Sequence, residues 1–133
     1  MRAALLLGLV YFAGVFTFAF GMGVVRTLIV APRLGPAVAV LLEIPVLVLV
    51  SWLAARGLLR NRRLTLGEGA VMGATAFVLT MASEAALAGV LRGQAVSEWA
   101  TSLITPLGLV GLIGQLMFGA MPVLLLGSRS RSA

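Results

Sequence analysis

Three ionisable side chains interrupt otherwise uncharged apolar stretches of this sequence: Arg26, Glu43 and Glu84. An arginine and two glutamates among aliphatic neighbours can form an ion pair, hold a proton or bind a cation. Charges in an apolar medium are costly, and they normally face a partner that offsets the cost. One guanidinium cannot neutralise two carboxylates. The leftover carboxyl should therefore hold a proton, a cation or the arginine of another subunit. Gln115 lies in a fourth apolar stretch and should hydrogen-bond to a neighbouring segment.

The remaining composition works by exclusion. The 133 residues include ten arginines and four glutamates, but no lysine, aspartate, histidine or cysteine. Without His or Cys there is no zinc site of the usual nitrogen and sulfur kind, no thiol nucleophile, no imidazole base and no imidazole-held haem or chlorophyll. Without Lys there is no Schiff base. Ser83 and Thr80 stand near Glu84, yet no spacing matches a known acid–base arrangement. The chain reads as a non-enzyme with no cofactor and no metal site.

The elements that must carry these residues follow from length and polarity. Hydrophobic residues make up 61% and charged residues 11%, against about 45–50% and about 25% in soluble domains. A bilayer core of about 30 Å needs roughly 20 apolar residues in a helix. Four stretches qualify: Ala3 to Val25, Leu34 to Ala55, Gly69 to Leu91 and Trp99 to Ser128. Continuous rather than alternating apolarity excludes a β-barrel. The first run is too long for a signal peptide and continues past Arg26 to Pro32, so helix 1 is read as uncleaved. The expectation is one membrane domain over residues 1–133: an all-α, integral four-helix bundle of two hairpins, with helices at about 3–31, 36–56, 66–91 and 100–127. Thr65 and Glu68 have capping-box spacing at the start of helix 3.

Arginines set the orientation. Arg2, Arg56, Arg60, Arg62, Arg63, Arg129 and Arg131 fall at one end, and only Arg33 and Arg92 at the other. The positive-inside bias then places both termini in the cytoplasm of a multi-pass inner-membrane protein. The net charge of +6 reads as contact with anionic lipid headgroups, not with nucleic acid. At 1.5 Å per residue, Arg26 and Glu43 lie about 12–14 Å from the first hairpin tip, and Glu84 lies about 12 Å from the end of helix 3. All three should share one buried layer. Gly69 and Gly73 form a GxxxG pair on the face of helix 3 that carries Thr80 and Glu84. Gly108, Gly111 and Gln115 form a comparable stripe on helix 4. Both stripes are read as helix-packing faces. Helix 2 is nearly solid Val and Leu around Glu43, with Pro45 placed to kink it. It should expose apolar surface to lipid, to another copy or to another subunit.

The run Arg26-Thr27-Leu28-Ile29-Val30-Ala31-Pro32-Arg33-Leu34-Gly35, followed by Leu42-Glu43-Ile44-Pro45, Ser83-Glu84, Leu91-Arg92-Gly93 and Glu98-Trp99, resembles a group of small uncharacterised four-helix bacterial inner-membrane proteins. The resemblance implies topology and no activity. Small multidrug transporters are similar in size, but their essential carboxylate is in the first helix, where this chain has no acid. The fluoride-channel pattern of polar residues and phenylalanines is missing. Two functional expectations follow. The first is a non-catalytic accessory or structural subunit of a larger membrane complex, with lipid and other subunits as partners. The second is a small oligomeric channel or transporter for a proton, an ion or a small solute, working through the buried carboxylates.

Overall fold

The computed structural model describes residues 1–133 as five helices: α1 (Arg2–Leu34), α2 (Pro36–Leu59), α3 (Leu66–Arg92), α4 (Val96–Ser102) and α5 (Pro106–Arg131). All but α4 are long and apolar enough to cross a membrane, as suits a multi-pass membrane protein. Their boundaries follow local chemistry. Thr65 caps α3 by accepting from the Glu68 amide at 3.1 Å, while the Glu68 carboxylate accepts from the Thr65 amide at 3.0 Å. Gly93 ends α3 with a φ of 64°, a conformation that favours glycine. Thr105 caps α5 through the Gly108 amide, and Pro106 occupies the first turn, where no backbone donor is needed.

Four boundaries differ from the sequence expectation by three residues or more; helix 2 runs to Leu59 instead of 56, and the last helix to Arg131 instead of 127. Helix 1 does not end near Ala31 but continues through Pro32 to Leu34. It does so by widening into a π-turn over Arg26–Val30, in which the Ala31 amide bonds to the Arg26 carbonyl. In a regular helix the Pro32 ring would press on the carbonyl four residues earlier. The wider turn makes room for it, and Gly35 at φ 85° then reverses the chain. The last long helix begins at Pro106, not near residue 100. Residues 96–102 form the separate helix α4, whose first turn is closed by the Glu98 carboxylate accepting from the Ala95 amide at 2.9 Å.

Close neighbours around the bundle run α1, α3, α5, α2 and back to α1. The α1–α2 and α3–α5 hairpins therefore lie side by side, with α1 parallel to α3 and α2 parallel to α5. Glycines permit the closest approaches. A Cβ on Gly73 would overlap the Gly119 carbonyl of α5, one on Gly69 would strike Leu126, and one on Gly8 would lie 2.8 Å from the Met72 carbonyl of α3.

Packing is uneven along the bundle. Buried residues concentrate from its middle to the arginine-rich end: Leu7, Tyr11, Ala55, Leu59, Met72, Ala76, Phe118 and Met121 form the core there. Towards the other end only Ala39, Glu43 and Ala88 are buried. Large apolar side chains cover the outside, including Leu41, Leu49 and Leu53 on α2 and Leu6, Val10 and Phe20 on α1. Outward apolar surface is thus not peculiar to helix 2.

Candidate functional site

The charged and amide side chains among the apolar helices fall into two pairs in the loosely packed half, while the buried Ser51 and Thr80 hydroxyls bond back to their own helices. Arg26 is the first residue of the π-turn. Its Nη1 donates to Glu43 Oε2 at 2.5 Å, across the α1–α2 interface. The Glu43 side chain is 7% exposed and that of Arg26 38%. Gly23 leaves space beside the guanidinium, which lies near the position a Cβ would take there. An apolar crevice of about 320 Å³ adjoins the pair, bounded by Met22, Val25 and Val30 of α1 and Ala39, Leu42 and Val46 of α2. Pro45 sits two residues beyond Glu43 and withholds an amide from the Leu41 carbonyl, but α2 runs unbroken past it.

The second pair joins the other hairpin. Gln115 Nε2 of α5 donates to Glu84 Oε1 of α3 at 2.5 Å. The buried Gln115 Oε1 has no partner. Neither Arg26 nor Glu43 hydrogen-bonds to Glu84. The expected cluster of Arg26, Glu43 and Glu84 is therefore resolved into an ion pair on one hairpin and a carboxyl–amide pair on the other. Gln115, expected from the sequence to lie on a packing face and to hydrogen-bond to a neighbouring segment, is the partner that Glu84 takes. No three acidic side chains gather in one place.

The glycines assigned to packing divide. Gly69 and Gly73 do lie against α5. Gly108 serves a different purpose: a Cβ there would meet the Ser102 carbonyl and, at 2.9 Å, Thr105 Oγ1, so it lets the α4–α5 turn fold over the start of its own helix. Gly111 has nothing within 4 Å of the corresponding position and packs against no helix. Gly114 faces α2 instead: a Cβ there would stand in ordinary contact, 3.5 Å from the Ile44 side chain.

Sequence reasoning missed one interior bond. Pro122 cannot donate to the Phe118 carbonyl four residues earlier. The hydroxyl of Tyr11 crosses the bundle and donates to that carbonyl at 2.8 Å, with the Tyr11 and Phe118 rings stacked at 4.5 Å. The signal was available: a proline inside an apolar helix frees a carbonyl, and the chain has one tyrosine to reach it.

Comparison with protein families, with curated proteins and with solved structures returns no match to this chain.

Proposed function

We propose that this chain is a non-catalytic accessory or structural subunit of a larger membrane complex, held in a bacterial inner membrane with both ends in the cytoplasm. The observation that carries this reading is the division of labour in the packing. Tyr11, Met72, Phe118 and Met121 fill the arginine-rich half. They separate the polar pairs from that end of a single copy, and large apolar side chains cover the outward faces. The seven-to-two arginine asymmetry supports the orientation. The exposed row Leu41, Leu49 and Leu53 on α2 is the surface proposed to meet another subunit.

A photo-crosslinking residue at Leu41 or Leu49 in native membranes tests this. A discrete adduct with one polypeptide is expected there, and none from the exposed Val78 of α3. Adducts with lipid alone at both α2 positions would overturn the subunit role.

One observation favours a second reading, an oligomeric proton or ion pathway. Glu84 has no cation at hydrogen-bond distance, and Gln115 Oε1 beside it lacks a donor. A proton arriving on Glu84 would supply that donor. In liposomes, flux abolished by Glu84→Gln would favour this reading over the subunit role. Absence of flux in the wild type would retire it.

A further inference from the structure

A cleft of about 660 Å³ opens between the final turns of α2 and α5, at the arginine-rich end. Trp52, Arg56 and Arg60 line it from α2, and Leu125, Ser128 and Arg129 from α5. Three guanidinia thus converge on one cavity, and none has a carboxylate partner. All four glutamates are engaged elsewhere: Glu43 with Arg26, Glu84 with Gln115, and Glu68 and Glu98 with backbone amides at helix starts.

The arginines are also positioned. The Arg56 guanidinium lies over the Trp52 ring, 4.9 Å from its centre. Arg129 Nη1 donates to the Leu59 carbonyl at 2.8 Å and so offsets the negative end of α2 with one of its five donors. Ser128 adds a hydroxyl at the rim.

Polarity is graded along the cleft. Arg60 and Arg129 stand at the ends of their helices, and Trp52 and Leu125 lie one to two turns deeper. A free anion would use only the charged tip. A molecule with an anionic head and an apolar tail matches the whole cleft. We propose that it binds the phosphate headgroup of an anionic phospholipid. Arg56, Arg60 and Arg129 take the phosphate oxygens, while Trp52 and Leu125 cover the start of the acyl chains.

The test uses the full chain in detergent, stripped of lipid and titrated with phosphatidylglycerol, phosphatidylcholine or inorganic phosphate, with thermal unfolding and retained mass in native mass spectrometry as readouts. Phosphatidylglycerol should raise the melting temperature and remain bound at one copy. Phosphatidylcholine and inorganic phosphate should do neither. R56Q/R60Q should raise the half-saturating phosphatidylglycerol concentration about thirtyfold, whereas R62Q/R63Q, which removes equal charge outside the cleft, should leave it within twofold. Should the first double variant fold poorly, Ser128→Trp decides the matter, because it fills the cleft without altering charge and should abolish retention. Equal losses in both double variants would reduce the effect to diffuse surface charge. An equal shift with inorganic phosphate would make the cleft an anion site with no lipid role. Either result, or no response to phosphatidylglycerol, overturns the proposal.

Discussion

The bond between Tyr11 and the Phe118 carbonyl allows a quantitative test of how this bundle tolerates a proline. Tyr11→Phe removes only the hydroxyl, so the ring stack is kept and no cavity forms. With Pro122 in place the Phe118 carbonyl then has neither the phenol nor an amide four residues on. A buried acceptor left without a donor costs about 1–3 kcal/mol. In Pro122→Ala the helix regains its own amide donor, and Tyr11→Phe then removes only a redundant bond. Such bonds between membrane helices average about 0.6 kcal/mol. The cycle of wild type, both single variants and the double variant should therefore give a coupling of about 1 kcal/mol. Pro122 also packs beside Gly73, so Pro122→Ala has its own packing cost, which the cycle cancels. Equilibrium unfolding in mixed micelles measures all four corners. If Tyr11→Phe costs the same in the wild type and in the Pro122→Ala background, the phenol is not standing in for the missing amide and the argument fails.

Other substitutions separate packing from chemistry. Arg26→Ala leaves the buried Glu43 carboxylate unpaired and should destabilise by a few kcal/mol, at the lower end of the range of about 3–5 for buried pairs because Arg26 is partly exposed. Arg26→Met with Glu43→Gln should recover most of that loss in thermal unfolding, and failure to recover would show that the charges act separately. Gly73→Ala drives a methyl into the Gly119 carbonyl and should lower the melting temperature markedly, whereas Gly111→Ala meets open space and should be neutral or stabilising by about 0.5–1 kcal/mol. Similar effects from the two would mean that α3 and α5 are not in close contact at Gly73. Thr65→Ala removes the α3 cap and should cost about 1 kcal/mol by the same assay.

The four long helices could be read from the sequence because the rule behind them is local: about 20 apolar residues either occur in succession or do not. That Arg26 and Glu43 stand level with each other could be read for a similar reason, since counting residues from a hairpin tip is one-dimensional arithmetic. The partner of Glu84 could not be reached that way. Three groups at one level do not specify which helices are adjacent. Glu84 of α3 has both α1 and α5 for neighbours, and it pairs with Gln115 of α5 while Arg26 of α1 pairs with Glu43 of α2. The glycine stripes failed where three- and four-residue spacing identified a face but not its occupant: Gly73 meets α5, while Gly111, on an equally regular stripe, meets nothing. The end of α1 was misplaced because Pro32 stops an α-helix, and the π-turn that lets the chain pass it depends on backbone hydrogen bonding that has no sequence signature of its own.

The uneven packing connects the two ends of the molecule. Glycine contacts and the Tyr11–Phe118 bond tie α1, α3 and α5 together from the middle to the arginine-rich end, Ala55 and Leu59 of α2 share that core, and the arginine-lined cleft is cut into the margin of this densely packed half. The polar pairs occupy the half where few residues are buried and where α1 is already widened at Arg26. Local opening follows the density of buried contacts. Amide hydrogens of residues 4–15 and 69–80 should therefore exchange more slowly than those of residues 20–25 and 84–91. Arg26→Ala should accelerate exchange in residues 20–25 and 39–46 while leaving 4–15 unchanged. Uniform acceleration along α1 would mean that the bundle opens as one cooperative unit, and the ion pair would then be a global fastening instead of a local one.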